Sequence, residues 1–242
     1  MISLKEVSFS YSDTPVIEGL NLEIGEGERV ALMGPNGCGK STLAMLVKGL
    51  IIPNEGSIHI DDLPISEAPP GKVGIVFQNP EDQIAAATVE REVAFGLENI
   101  GLPRDEMLAR VDESLKRFGL QAYKRHPSHL LSGGQLQKLA LASAFAMRPD
   151  YLILDESTSM LDPKSRLEFM SALDSLPPKT GIIFITQFPR EALNFERLIV
   201  MSAGRIIFDG SPEKFFSDED KTTSAAIDPP VEFALKRMMG NL

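Results

Sequence analysis

Cysteine is nearly absent: Cys38 stands alone among 242 residues, so no intrachain disulfide can form and a disulfide-stapled secreted domain is excluded. Lys5 and Glu6 interrupt the N-terminus before any apolar run develops, which predicts no secretory signal and a cytosolic compartment. Long hydrophobic runs are also missing. The longest, Leu139 to Met147, has nine residues, includes Ser143 and stops at Arg148, well short of the roughly 20 that span a bilayer. Nor is there an excess of positive charge. The 24 Lys and Arg face 34 Asp and Glu, a net charge of −10, which weighs against a partner held by phosphate neutralisation, and no nucleic-acid partner is expected. Repeats and low-complexity tracts are lacking too. What is present is ordinary globular material: 43% hydrophobic and 24% charged residues suffice for a core, and the length corresponds to about 1.6 average domains.

Continuous Val-, Ile- and Phe-rich runs alternate with helix-period segments, the pattern of strands buried on both faces in an α/β fold. Buried strands are predicted at 29–33, 73–77, 151–154, 181–186 and 198–202. The segments 2–10, 20–24 and 56–60 read as antiparallel strands with a polar face. From about 88 to 147 the strand signal gives way to helices. Leu108, Val111, Leu115 and Phe118 step by 3, 4 and 3 along one helix face, and Gly119 sits where a C-terminal cap belongs. After residue 210, Ser211-Pro212-Glu213 carries a helix-start signature, a polar stretch runs over 217–228, and a last amphipathic helix is expected with Val231, Leu235, Met238 and Met239 on one side.

Three motifs carry chemistry. Gly34-Pro35-Asn36-Gly37-Cys38-Gly39-Lys40-Ser41 fits the phosphate-binding loop, and it joins a predicted strand to a helix expected over 41–50. Its glycines let backbone N–H groups close around a phosphate. Lys40 reaches the terminal phosphates, and Ser41 can ligate Mg²⁺. Asp155 and Glu156 end an apolar strand and are expected to face the same crevice as that loop; the carboxylates could hold Mg²⁺ through water and polarise the attacking water respectively. Leu131-Ser132-Gly133-Gly134-Gln135 reads locally as a helix start, with Ser132 as N-cap and Gln135 closing a capping box. His126 and His129 lack the companions of a tetrahedral metal site and read as surface residues. Cys38 reads as a small residue between two glycines.

Leu-Ser-Gly-Gly-Gln shortly before a strand ending in Asp-Glu resembles the signature of the ATP-binding cassette (ABC) family, over roughly residues 1–210. The resemblance implies a phosphate-loop NTPase with a mixed central sheet, an antiparallel β subdomain, a helical subdomain at about 88–147, and a small C-terminal extension at 211–242. It implies ATP and Mg²⁺ as cofactors. Gly34, Pro35, Asn36, Gly37, Cys38, Gly39, Lys40, Ser41 and Thr42 would hold the nucleotide, and Tyr11 would stack on adenine. Ser41, Gln78 and Asp155 would meet Mg²⁺, while Glu156, Gln78 and Gln187 would serve catalysis. In this family the signature Ser132, Gly133, Gly134 and Gln135 of one subunit closes over nucleotide held by the other. Ser159-Met160-Leu161-Asp162 matches the loop that crosses the dimer, with Met160 where glycine is commoner, and Ser157 replaces a usual proline. One departure weighs more: Gln187 stands where the family has its switch histidine, and an amide can donate a hydrogen bond but cannot take a proton.

The stretches 77–83 and 88–99 resemble the ATPases of energy-coupling factor (ECF) transporters, which import vitamins and transition-metal ions. That resemblance implies a peripheral protein on the cytoplasmic face of the cell membrane. Its partners would be a second, paralogous ATPase in a heterodimer, an integral membrane coupling subunit and a substrate-binding membrane subunit. A soluble cassette ATPase of iron–sulfur cluster assembly is the alternative. A DNA-repair ATPase would need long coiled-coil arms between residues 41 and 131, and no sustained heptads lie there.

Overall fold

The computed structural model describes residues 1–240, apart from the side chains at 237, 238 and 240. Along the chain run β1 (Ile2–Tyr11), β2 (Thr14–Ile24), β3 (Arg29–Met33), α1 (Lys40–Lys48), β4 (Glu55–Ile60), β5 (Leu63–Pro64) and β6 (Val73–Val76). Then follow α2 (Val89–Asn99), α3 (Arg104–Arg117), α4 (Gly133–Ala146), β7 (Tyr151–Asp155), α5 (Pro163–Asp174) and β8 (Gly181–Ile185). The chain closes with α6 (Pro189–Ala192), β9 (Arg197–Ser202), β10 (Arg205–Gly210), α7 (Pro212–Ser217), α8 (Glu219–Ser224) and α9 (Val231–Gly240). Two compact units result, one of residues 1–67 with 182–242 and one of residues 68–181.

The first unit holds an antiparallel sheet, β2-β1-β4-β5, and a layer in which β3 lies parallel between β8 and β9 while β10 adds an antiparallel edge to β9. Val30, Ala31, Leu32, Ile182, Phe184 and Ile185 are buried, which explains why β3 and β8 read as unbroken apolar runs. In β10 the apolar run is only Ile206-Ile207-Phe208, too short to mark a strand by itself, and exposed and half-buried residues alternate along it. The predicted strands are otherwise found within a few residues, except that β2 begins at Thr14 rather than 20.

The second unit pairs β6 with β7 in parallel, Val76 beside Leu154, and packs α2, α3 and α4 together. Helix α3 buries Val111, Leu115 and Phe118 as its spacing predicts, but Leu108 is 44% exposed and does not belong to the packed face. Its end is a Schellman motif: Gly119, at φ 70°, donates to the Lys116 carbonyl and Leu120 donates to Leu115.

The C-terminal stretch is more ordered than its composition specifies. The polar residues 217–228 contain α8, with Asp218 accepting from the Lys221 N–H as its cap. In α9, Val231, Leu235 and Met239 are 66%, 52% and 74% exposed, so the predicted apolar side is not a packed face; Met238 lies outside the described side chains. The inward contact is Phe233, whose ring centre stands 5.9 Å from that of Phe216.

Candidate functional site

In the first unit, β3 delivers the chain into a loop whose backbone only glycine accommodates. At Gly34 a Cβ would stand 2.2 Å from the Met201 carbonyl oxygen, so β9 passes too close for any side chain. At Gly37, φ is 78° and a Cβ would meet nothing within 4 Å, which leaves that side of the loop open. The loop is anchored from below. Gly204, in the β9–β10 turn, donates to the Cys38 carbonyl at 3.1 Å, and the Cys38 side chain is buried.

Lys40 is 5% exposed and its Nζ donates to the carbonyls of Gly34 at 2.8 Å and Pro35 at 3.1 Å. Helix α1 begins at Lys40, not at 41, and ends at Lys48 with Gly49 as left-handed cap. No side chain caps its N-terminus and no acid stands in its first turn, so its dipole is left for an anion. Ser41 is exposed beside this opening, while Thr42 is buried.

The strands β3 and β8 are parallel neighbours, so their C-terminal ends lie at one edge. There Gly34, Pro35, Asn36 and the exposed Gln187 line a cavity of about 430 Å³, whose far wall is Ala226, Ile227 and Asp228 of the C-terminal stretch. The Thr186 hydroxyl bonds the buried Glu191 carboxylate and accepts from the Phe188 N–H at 3.0 Å, which holds the chain on both sides of Gln187. Tyr11, at the end of β1, is 47% exposed and rests edge-on against Phe9 with centroids 4.8 Å apart.

In the second unit β6 and β7 likewise end at one edge and deliver Gln78 and the Asp155-Glu156 pair. Asp155 is 7% and Glu156 9% exposed; Glu156 has φ 48°, a left-handed conformation that non-glycine residues seldom hold. Gln78 donates through Nε2 to the Ser159 hydroxyl at 3.3 Å.

The capping box of α4 is complete: Ser132 Oγ accepts from the Gln135 N–H and Gln135 Oε1 from the Ser132 N–H. The two signature glycines differ in surroundings. A Cβ on Gly133 would meet nothing within 4 Å, whereas one on Gly134 would stand 2.7 Å from Ser165 Oγ and 2.9 Å from its Cβ. Asp162 caps α5 by accepting from the N–H groups of Lys164 and Ser165, and the hydrogen bond from the Ser165 hydroxyl is the main cause of a carboxyl held below its usual range.

Some residues of this site carry no signal in the motifs. Glu92, 6% exposed on α2, accepts from the N–H groups of Ala85 and Ala86 at 3.0 and 2.8 Å, and Gln83 donates to the Ile75 carbonyl of β6 and accepts from the N–H of Phe77 just past its end. Gln137 of α4, 2% exposed, donates to three carbonyls. A glutamine beside apolar Leu136 and Leu139 in a buried helix was the available sign. The segment shaped by Gln83 and Glu92 borders a groove of about 450 Å³ lined by Glu81, Ile84, Ala85–Ala87, Ser128, His129 and Leu136. Val89, at the start of α2, is fully buried, and Phe95 is 52% exposed and does not line the groove. His126 and His129 are exposed, and His126 lies edge-on to Tyr123. Among the described residues no helix is long and apolar enough to cross a membrane.

A glycine loop leading from a buried parallel strand into an uncapped helix, with a lysine at its start, defines the phosphate-loop nucleotide-binding class. The comparisons narrow the class. The family model described as ABC transporter matches residues 17–159. The energy-coupling factor transporter ATP-binding protein EcfA1 of Caldanaerobacter subterraneus subsp. tengcongensis is 40% identical, over 95% of this chain and 87% of that protein. Its Bacillus subtilis namesake is 39% identical, over 99% of this chain and 88% of that protein. Among solved structures, cbiO1 from Clostridium perfringens, described as part of the ABC transporter complex cbiONQ, superposes with a TM-score of 0.81 at 36% identity, covering 98% of both chains. The ATP-binding cassette MJ0796, dimeric and bound to ADP and Pi after hydrolysis, gives 0.76 at 29% identity, over 88% of this chain and 99% of that one. The chain therefore belongs to the ABC transporter family, and within it to the energy-coupling factor transporter ATP-binding proteins.

Proposed function

We propose that this chain is the ATP-hydrolysing subunit that energises an ECF importer of a vitamin or transition-metal ion. It lies on the cytoplasmic face of the membrane, docked on an integral coupling subunit that works with a separate substrate-binding membrane subunit. Residues 1–210 form the nucleotide-binding domain, with the helical subdomain at about 88–147, and 211–242 an extension. The observation that carries this reading is the uncapped, acid-free start of α1 behind a glycine loop, in a chain that shares 40% identity with an ECF transporter ATP-binding protein.

Residues 34–42 wrap the triphosphate and Tyr11 stacks on the adenine. Lys40 exchanges its loop carbonyls for the terminal phosphates, gaining charged partners in place of neutral ones. Ser41, Gln78 and Asp155 would hold Mg²⁺ through their hydroxyl, amide and carboxylate oxygens, and the ion would supply positive charge against the negative charge developing on the phosphates. Glu156 takes a proton from the attacking water as the new O–P bond forms; the bond from the γ-phosphorus to the bridging oxygen breaks, leaving ADP and phosphate. Gln187 donates an amide hydrogen bond to a γ-oxygen. The signature residues Ser132, Gly133, Gly134 and Gln135 complete the site of a second, paralogous ATPase in a head-to-tail heterodimer.

The test of nucleotide binding is Lys40→Ala. Equilibrium titration with ATP and Mg²⁺ should show tight binding by the wild-type chain and at least a tenfold loss in the variant; equal affinities would overturn the reading.

A further inference from the structure

We propose that Gln137 is a positioning residue that binds the signature helix to the Gln78 loop and to the chain just past Glu156, so that these parts move together. The inference rests on the ATPase reading above. Gln137 lies on the second turn of α4, a helix otherwise buried through Leu136, Leu139, Ala140 and Leu141. Its amide Nε2 stands 2.7 Å from the Ser157 carbonyl, 3.2 Å from that of Gln78 and 3.3 Å from that of Phe77. An amide NH₂ has two hydrogens. The shortest contact takes one, and the carbonyls of Phe77 and Gln78 share the other as a three-centre bond.

These carbonyls lie where the ladder of β6 and β7 has just ended, so neither segment has a strand partner to supply the donor. One side chain meets both needs. It also joins groups of assigned roles: Gln78 is on one segment, Glu156 directly precedes Ser157 on the other, and Ser132 to Gln135 open the helix that carries the amide. Gln78 and Ser159 add a second link between the same two segments at 3.3 Å. The left-handed φ of 48° at Glu156 needs neighbours that hold it, and the 2.7 Å bond to the next residue's carbonyl is such a restraint. A shift of α4 therefore displaces the Glu156 and Gln78 backbones with it, whereas an apolar side chain of the same length would let them part.

The test uses the intact transporter complex carrying Gln137→Met, which keeps length and flexibility but removes the donor, and Gln137→Asn, which keeps the amide but shortens its reach. In both, ATP affinity and KM should stay within twofold of wild type while kcat falls about 10- to 100-fold, more in the Met variant. Adding Gln137→Met to Glu156→Gln should lower the residual turnover by less than twofold, because the two residues act through one step. Unchanged kcat in both single variants, a loss confined to KM, or fully multiplicative losses in the double variant would overturn the proposal. So would failure of both variants to fold, since Gln137 would then be a packing residue. Absence of ATP turnover in the wild-type complex would instead overturn the ATPase reading itself.

Discussion

At the scale of single residues, neighbouring identical letters do different work. Gly133 and Gly134 are interchangeable on paper, yet one faces open space and the other touches Ser165. Ser165 cannot yield easily, because its hydroxyl donates to Asp162 at 2.6 Å. Gly134→Ala should therefore cost about 1–3 kcal/mol through overpacking. Gly133→Ala should leave stability within about 0.5 kcal/mol. Denaturant unfolding of the two variants distinguishes them, and equal midpoints would contradict the packing seen at Gly134. Gln187 poses a question of chemistry rather than space. It lines the cavity beside Gly34 but offers only an uncharged amide, so a site built on it should hydrolyse slowly. Loss of one stabilising contact to the transition-state charge costs about 10²- to 10³-fold in rate, so Gln187→His should raise turnover measurably. Steady-state ATP turnover of the purified chain checks this, and no gain on introducing histidine would mean that the amide suffices.

Among the elements, the signature helix is started by its own sequence and placed by its neighbours. Ser132 and Gln135 satisfy its first N–H groups, which any local reading finds. The next helix illustrates how charge enters. Asp162 begins α5, and hydrogen bonds from Ser165 and Lys164 hold its carboxyl below the usual range. A carboxyl lowered on folding stabilises above its unfolded value, and that contribution is lost as pH falls through the folded value. Stability measured from pH 7 towards pH 2 should thus decline with a component that Asp162→Asn abolishes; thermal midpoints with identical pH dependence in both proteins would refute it.

For the whole molecule, the groove between Glu81 and Leu136 presents apolar Ile84 and three alanines with a polar edge of Glu81, Ser128 and His129. That composition suits a short helix of a membrane subunit laid into it. Cysteine introduced at Glu81, with Cys38 buried and out of reach, should cross-link to an integral membrane protein in native membranes. Cross-links confined to non-membrane proteins would remove the docking reading and favour an iron–sulfur assembly role.

By itself the sequence determined the strand–loop–helix of residues 29–48, the capped start of α4, the helical stretch after residue 88 and the family. Each is encoded by contiguous residues whose spacing matches a local geometry. Tertiary structure decided which of those residues touch. It exposed Leu108, because a helical stripe specifies an apolar face but not how far the neighbouring element extends along it. It turned Val231 and Leu235 outward and made Phe233 the contact, since only the position of Phe216 selects the side of α9 that packs. It gave Gln137 three carbonyls from segments 59 and 60 residues upstream and 20 residues downstream, a meeting that no local pattern encodes.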